Sequence, residues 1–339
     1  IAMGSFKECK VNGGIDHDGQ DLNAAFADYK NDGYEDLFVA TTKGIVVFKN
    51  QGDGSFSKVK DNIGLDNATD VNKMLFADFD QDGDLDLLAA QKNNNKLFRN
   101  NGDGSFTEEA AATGLSANGR GTINMDFADY DNDGDLDIAG ISGNGRMQLF
   151  NNNRHSNYTE ISNSAGLQNP KYTGDAIAFG DYNNDGSPDI FLAGAPGGSC
   201  SLLKNENGHF LLDENASQQL TAALKGIKVY DVAFADYDND GYKDIVVAGI
   251  NQDVSKSGVK LFHNDSTKSF SDASTLLPAD ITGAYHIGIA DFNFDGDMDF
   301  FFSGPSGIQL ARNDGGNNNN YVQVQLTGLS FGNSKNNRL

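Results

Sequence analysis

Tryptophan is absent from the 339 residues, and cysteine occurs only twice, at Cys9 and Cys200. Without indole rings the chain lacks the best platform for stacking on a sugar face, and its 11 tyrosines are the fallback. Two thiols in distant parts of the chain are not expected to pair, and a large core needs no such staple. No apolar run reaches the ~18 residues of a membrane-spanning helix. Positive charge is scarce as well: 25 Lys and Arg face 48 Asp and Glu, for a net charge of −23. No basic patch is available to neutralise phosphates, which argues against nucleic acid as a partner. Catalytic signatures are missing too: no Gly-x-Ser-x-Gly elbow, no His-Glu-x-x-His, no Cys-x-x-Cys and no phosphate-cradling glycine loop. Five histidines are scattered along the chain. His155, His209 and His263 fall at or near corresponding turns, where solvated histidines are commoner than a zinc or acid–base cluster.

What is present in abundance is aspartate, and it is ordered. A loop of the form Asp-x-Asp-x-Asp-Gly-x-x-Asp starts at Asp28, Asp78, Asp129, Asp181, Asp236 and Asp291, at intervals of 50 to 55 residues. Calcium takes roughly six to eight oxygen ligands at about 2.3–2.6 Å in a flexible cage. Aspartates at loop positions 1, 3 and 5 converge on one centre if the chain turns sharply at the glycine of position 6. Position 7 then offers its backbone carbonyl, and the aspartate at position 9 closes the cage. The loop is the front half of an EF-hand loop without the rest: position 12 holds Ala89 in the second copy and Gly140 in the third, where an EF-hand needs glutamate. A merely polar turn would mix lysines among its acids, because four carboxylates in one tight loop repel unless a cation bridges them. Magnesium is the poorer candidate, since it sheds water reluctantly.

The copies differ in donor number. Loops two, three and five each carry four ligand aspartates: Asp78, Asp80, Asp82 and Asp86; Asp129, Asp131, Asp133 and Asp137; Asp236, Asp238, Asp240 and Asp244. Loop four has Asp181, Asn183, Asp185 and Asp189, and loop six has Asp291, Asn293, Asp295 and Asp299. Loop one keeps Asp28, Asp32 and Asp36 but has Lys30 at position 3, so it is expected to bind weakest or not at all. The position 7 carbonyls belong to Tyr34, Asp84, Asp135, Ser187, Tyr242 and Asp297. Five to six calcium ions are therefore expected, and six would bring the net charge to about −11.

Around each loop the apolar residues alternate as half-buried strands require. Short strands precede each loop (Ala25-Phe26-Ala27, Leu75-Phe76-Ala77 and so on) and apolar runs follow it, such as Leu87-Leu88-Ala89-Ala90 and Ile245-Val246-Val247-Ala248. A third strand and an aromatic-marked fourth strand (Phe56, Phe106, Tyr158, Phe210, Phe270, Tyr321) complete each repeat. Four short antiparallel strands in about 50 residues is the size of one propeller blade. The residue before each loop is always Ala or Gly, as expected where innermost strands crowd an axis. Loop position 2 is always aromatic, and core packing between blades is its favoured role over ligand binding.

These loops and their flanks resemble the FG-GAP or VCBS repeats of integrin α-subunit propellers and of many secreted bacterial proteins. The resemblance covers nearly the whole chain. It implies an all-β propeller of four-stranded antiparallel blades, with the loop joining the first and second strands of a blade and binding calcium. The expected count is six blades, with a strand near Phe6 supplying the last outer strand; seven, with a degenerate blade from both termini, is the alternative. Residues 1–5 read as a cloning remnant, 6–326 as the propeller, and 327–339 as an extension or the start of a following domain. The stretch Asn317 to Gly328, with Tyr321 to Leu326 as a strand, is similar to the start of the ASPIC/UnbV segment that follows such repeats. The implied function is a noncatalytic, monomeric module outside the cell, binding a glycan or extracellular protein, without nucleic acid or membrane insertion. An accessory or catalytic domain of a secreted polysaccharide- or lipid-degrading enzyme is the alternative.

Overall fold

The computed structural model of the protein describes residues 21–52, 55–65, 68–91, 94–115, 121–194, 199–266, 269–290, 296–305 and 307–313. The expected strand at Tyr321 to Leu326, the segment at Phe6, the terminal stretches 1–5 and 327–339, and the loop residues Asp291, Asn293 and Asp295 lie outside them.

The described residues form six antiparallel sheets, each from consecutive strands. Blade one is β1 (Asp21–Ala27), β2 (Asp36–Thr41), β3 (Gly44–Asn50) and β4 (Phe56–Lys58). Blade two is β5 (Val71–Ala77), β6 (Asp86–Gln91), β7 (Lys96–Asn100) and β8 (Phe106–Glu108), followed by a single helical turn, α1 (Ala110–Thr113). Blade three is β9 (Thr122–Ala128), β10 (Asp137–Ser142), β11 (Met147–Asn152) and β12 (Tyr158–Glu160). Blade four is β13 (Ala176–Gly180), β14 (Asp189–Ala193), β15 (Ser201–Glu206) and β16 (His209–Leu212), followed by α2 (Glu214–Ala223). Blade five is β17 (Ile227–Ala235), β18 (Asp244–Asn251), β19 (Lys260–Asn264) and β20 (Phe270–Asp272). In blade six, β21 (His286–Ala290), β22 (Asp299–Gly304) and β23 (Gly307–Ala311) are described. The fold is a six-bladed, all-β propeller with four-stranded blades.

The chain divides into two compact units, with blades one and two in the first and blades three to six in the second. Within each unit the physical pattern is the same. The second strand of a blade is buried on both faces; all six residues of β2, β6 and β10 are buried. That is why these strands read as continuous apolar runs and not as alternation. In the first unit, Tyr29, Phe38, Phe98 and Phe106 share one core with Leu87 and Ala89. In the second unit, one core joins blades three and four around Leu149, Leu192 and Phe210, and another joins four and five around Phe191, Val247 and Phe262.

Position 2 aromatics fill these cores, as expected. Tyr29 stacks on Phe106 at 5.8 Å, Tyr130 meets Phe210 at 5.9 Å, and Tyr182 meets Phe270 at 6.1 Å. Each ring thus docks on the fourth strand of the following blade. The small residue before the loop also has a local reason. A β-carbon at Gly180 would come within 2.4 Å of the Phe234 ring.

One element departs from the sequence reading, which places no helix between blades four and five. There α2 is capped by Asp213, whose Oδ1 accepts from the Ala216 N–H at 3.0 Å. It lays Ala216, Ser217 and Leu220 onto the core, an i, i+4 stripe within an otherwise polar segment.

Candidate metal centres

Every described aspartate loop joins the first and second strands of its blade. The residue before the loop pairs across the sheet with the aspartate of position 9: Ala27 with Asp36, Ala77 with Asp86, Ala128 with Asp137, Gly180 with Asp189, and Ala235 with Asp244. The sharp turn is made by two left-handed residues in succession at five loops. Gln81 at φ 63° precedes Gly83 at φ 96° by two positions, and Asn132, Asn184 and Asn239 stand likewise at 59°, 54° and 54°. Folded this way, the backbone N–H groups of positions 5 and 6 point back at the carboxylate of position 1. Asp82 and Gly83 donate to Asp78 at 3.0 and 2.9 Å, and Asp240 and Gly241 donate to Asp236 at 3.0 and 2.9 Å. The N–H of position 7 bonds the carboxylate of position 5, at 3.0 Å from Asp84 to Asp82 and from Asp135 to Asp133.

These bonds hold the carboxylates of one loop around a common point. In loops two, three and five, donor atoms of Asp78, Asp80 and Asp86, of Asp129, Asp131 and Asp137, and of Asp236, Asp238 and Asp244 lie within 4.8 Å of one another. These are the loops with aspartate at positions 1, 3, 5 and 9. In loop four, Asn183 turns its amide nitrogen to Asp189 at 3.0 Å. Of loop six, Asp297 and Asp299 are described, and both are buried.

Position 9 is the electrostatic centre. Asp86, Asp137, Asp189 and Asp244 are fully or almost fully buried. Burial pushes their carboxyls up to about 8, 8, 7 and 7, and in Asp86 the neighbouring Asp80 and Asp82 carboxylates add to the rise. Asp36 is pushed up to about 6 by the same cause, and its Oδ2 is buried without a hydrogen-bond partner. Burial also raises Asp78 and Asp80, with the Asp82 charge adding to both. Folding has therefore collected buried acids at a cost that a divalent cation would offset. The donor set is hard oxygen, which fits calcium. In loop two Asp78, Asp80, Asp82 and Asp86 would hold it with the Asp84 carbonyl, and the ion would supply the missing positive charge.

Two sets of asparagines lock the loops in place, and the sequence reading missed both. An asparagine stands at or beside the end of each third strand: Asn50, Asn100, Asn152, Asn205, Asn264 and Asn313. Its N–H donates to the position 9 aspartate at 2.6–2.8 Å, as from Asn100 to Asp86 at 2.8 Å and from Asn313 to Asp299 at 2.6 Å. In four of the six the side-chain amide reaches the position 2 carbonyl of the preceding blade: Asn100 to Tyr29 at 2.8 Å, Asn205 to Tyr130 at 2.7 Å, Asn264 to Tyr182 at 2.7 Å and Asn313 to Tyr237 at 2.6 Å. The second set sits at loop position 4 and reaches forward to the glycine carbonyl of the next loop. Asn31 bonds Gly83 at 3.4 Å, Asn132 bonds Gly186 at 3.0 Å, Asn184 bonds Gly241 at 2.7 Å and Asn239 bonds Gly296 at 3.1 Å. Asn31 and Asn239 also bond the position 7 carboxylates of Asp84 and Asp297 at 2.6 and 2.8 Å, so those side chains serve the neighbouring loop.

In blades one, four and five the residue just before the third-strand asparagine faces the cage with a nitrogen-bearing group. Lys49 pairs with Asp32 at 3.1 Å and Lys204 with Asp185 at 3.4 Å. His263 lies 3.4 Å from Asp238 and 3.3 Å from Asp244. The recurring Lys-Asn and His-Asn pairs at strand ends were the signal for it. In loop one, the Lys30 ammonium rests over the Tyr29 ring, 5.1 Å from the centroid. Lys49 is the cation that meets that loop. Of the other turn histidines, His209 faces the Ser164 carbonyl at 3.2 Å instead. Cys200 is a free, buried thiol, and Cys9 lies outside the described residues.

A propeller of six repeats, each with an aspartate loop between its first two strands, defines the class. The chain belongs to the FG-GAP-like repeat family, whose pattern matches residues 28–89, 78–140, 129–192, 181–247 and 236–302. Human cartilage acidic protein 1 is 28% identical over 199 residues, which is 56% of this chain and 29% of that protein. Integrin alpha-3 from Cricetulus griseus is 26% identical over 143 residues, 40% of this chain and 13% of that protein. The chain thus spans less than a third of the length of these curated relatives. Among solved structures, an Agrocybe aegerita lectin that recognises non-reducing terminal N-acetylglucosamine superposes with a TM-score of 0.56 at 19% identity, over 87% of this chain and 78% of that one. BBS1N from its complex with ARL6DN gives 0.50 at 10% identity, over 88% and 79%. At these identities the likeness is one of fold.

Proposed function

We propose that the chain is a noncatalytic binding module of the extracellular space, kept in shape by calcium in its aspartate loops and presenting its surface to a glycan or protein ligand. The observation that carries this reading is the set of buried position 9 carboxylates, crowded by other carboxylates, that only a bound cation would leave comfortably ionised. The ligands in this reading are positions 1, 3, 5 and 9 with the carbonyl of position 7, in loop six by sequence and in loop one without position 3, which is Lys30. Calcium at millimolar concentration, as found outside cells, suits loop sites of modest affinity. Kinship with an integrin α chain and a cartilage protein supports an adhesive role. No helix among the described residues is long and apolar enough to cross a membrane. A cavity of about 530 Å³ beside α2, lined by Lys171, Tyr172, Ser201, Gln218, Thr221 and Lys225, offers hydrogen-bond donors and one ring on a scale that suits a sugar.

The test has two arms. Calorimetric titration with calcium should show several sites per chain, and excess EGTA should lower the melting temperature sharply. A glycan array and an extracellular-protein array, both in calcium, should then give binding, while polysaccharides and lipids incubated with the protein stay intact. An unchanged melting curve in EGTA sinks the calcium reading, and turnover of any polymer sinks the noncatalytic one.

A further inference from the structure

Loop five differs from the others in the chemistry of the group facing its cage. The third-strand position that presents an ammonium in blades one and four, Lys49 and Lys204, presents the imidazole of His263 on β19. Nδ1 of His263 is buried and lies 3.4 Å from Asp238 Oδ2 and 3.3 Å from Asp244 Oδ1, yet makes no aligned hydrogen bond to either. Donor atoms of Asp238, Asp240 and His263 fall within 4.8 Å of one another. On the far side of the ring, Nε2 faces the Asp265 carboxylate at 4.0 Å. The Tyr237 ring meets the imidazole edge to face at 5.9 Å and fixes its plane.

That is the arrangement of a metal-binding histidine. One ring nitrogen is turned into a set of carboxylates, and a further carboxylate faces the other nitrogen, favouring the tautomer with its lone pair at Nδ1. Calcium and magnesium use oxygen donors and gain little from imidazole, whereas borderline first-row ions take it readily. An ion pair alone would explain a charged histidine here, but it would align the Nδ1 proton on one carboxylate, and no such alignment is present.

We propose that loop five is a mixed nitrogen–oxygen site, with His263 Nδ1 joining Asp238 and Asp240 as ligands, selective for a borderline divalent ion such as zinc over calcium. This rests on the reading of the loops as cation cages. Loops two and three, with oxygen donors only, remain calcium sites.

The experiment uses the full chain in millimolar calcium with one equivalent of zinc, read by diffraction at the zinc absorption edge and by competition with a chromophoric zinc chelator. One zinc peak is expected in loop five, bonded to Nδ1. His263→Asn should lose that peak and weaken zinc binding by about tenfold or more, and His209→Asn should leave it unchanged. Cobalt(II) added to the unaltered protein gives a reading that needs no variant, because a coordinated imidazole has paramagnetically shifted ring protons. Calcium in loop five with the imidazole turned aside, a zinc peak elsewhere, a His263→Asn protein that binds zinc as tightly as its parent, or unshifted His263 signals with cobalt would each overturn the proposal. If loops two and three hold calcium while loop five refuses zinc, only this inference fails. If they hold none, the calcium reading beneath it fails.

Discussion

At Asp86, burial and hydrogen bonding pull in opposite directions. Burial lifts its carboxyl to about 8, while the N–H groups of Asn100 and Phe79, at 2.8 and 3.1 Å, favour the ionised form. A cation in the loop resolves the conflict, so Asp86→Asn should lower the calcium stoichiometry by one in calorimetric titration. An unchanged stoichiometry would remove Asp86 from the ligand set. Asn205 shows the complementary case of a neutral residue with a structural task. Its amide satisfies the Tyr130 and Pro188 carbonyls at 2.7 and 3.1 Å. Losing both bonds and leaving buried carbonyls unpaired costs about 2–3 kcal/mol, so the urea midpoint of Asn205→Ala should fall accordingly. A loss below about 0.5 kcal/mol would mean water replaces the amide. The aspartates were legible in the sequence because their spacing repeats and their chemistry is narrow. Asn205 and its equivalents were not, because asparagine is common in this chain and reads as turn composition until the blade before it is in place. Where the Lys30 ammonium rests, over the Tyr29 ring, could not be read from its place in the loop either.

Strands were easier to read than helices. The continuous apolar second strands follow from burial on both sheet faces, and with the recurring loops they located the blades. The α2 stripe of Ala216 and Leu220 is too short to stand out beside neighbouring polar residues. Packing between first strands leaves little slack. Gly180→Ala would press a methyl into the Phe234 ring, and a strain of about 1–3 kcal/mol is expected, read as a lower melting temperature with calcium present. A stability equal to the parent's would show that Phe234 can swing away. Third strands carry the cations that face the cages. Lys204 pairs with Asp185 and would compete with calcium for it, so Lys204→Gln should raise the calcium affinity expected of loop four, by up to about fivefold at low salt for a partly exposed pair worth ~0.2–1 kcal/mol. Weaker calcium binding by that variant would show that Lys204 helps to shape the loop instead.

For the molecule as a whole, charge decides how stability responds to its surroundings. The position 9 carboxyls sit above their unfolded value of 3.8, at about 6 for Asp36 and about 7–8 for Asp86, Asp137, Asp189 and Asp244. Between the unfolded and folded values the native chain binds more protons than the unfolded one. Stability without metal therefore falls as pH rises above the unfolded value, most steeply at about pH 5 to 6, and the slope dies away as the native groups ionise between about 6 and 8. In EGTA the melting temperature should be higher at pH 6 than at pH 8.5, and in calcium that slope should flatten or reverse. A metal-free protein that gains stability across this window would contradict the assignment of these groups as buried and uncompensated. At a free calcium level about ten times its dissociation constant, each filled site adds ~1.4 kcal/mol, so several sites together rival the ~5–15 kcal/mol that holds a domain folded.

The position 4 asparagines give occupancy a neighbourhood. Asn132 grips loop four, Asn184 grips loop five and Asn239 grips loop six, each by a glycine carbonyl one residue from the carbonyl that would face the ion. An ion that stiffens one turn thereby steadies the donor arrangement of the next, and linkage makes that help mutual. If the loops take ions as proposed, filling along blades three to six should be concerted, with a Hill coefficient above one. Asn184→Ala would split it into shallower, separate steps.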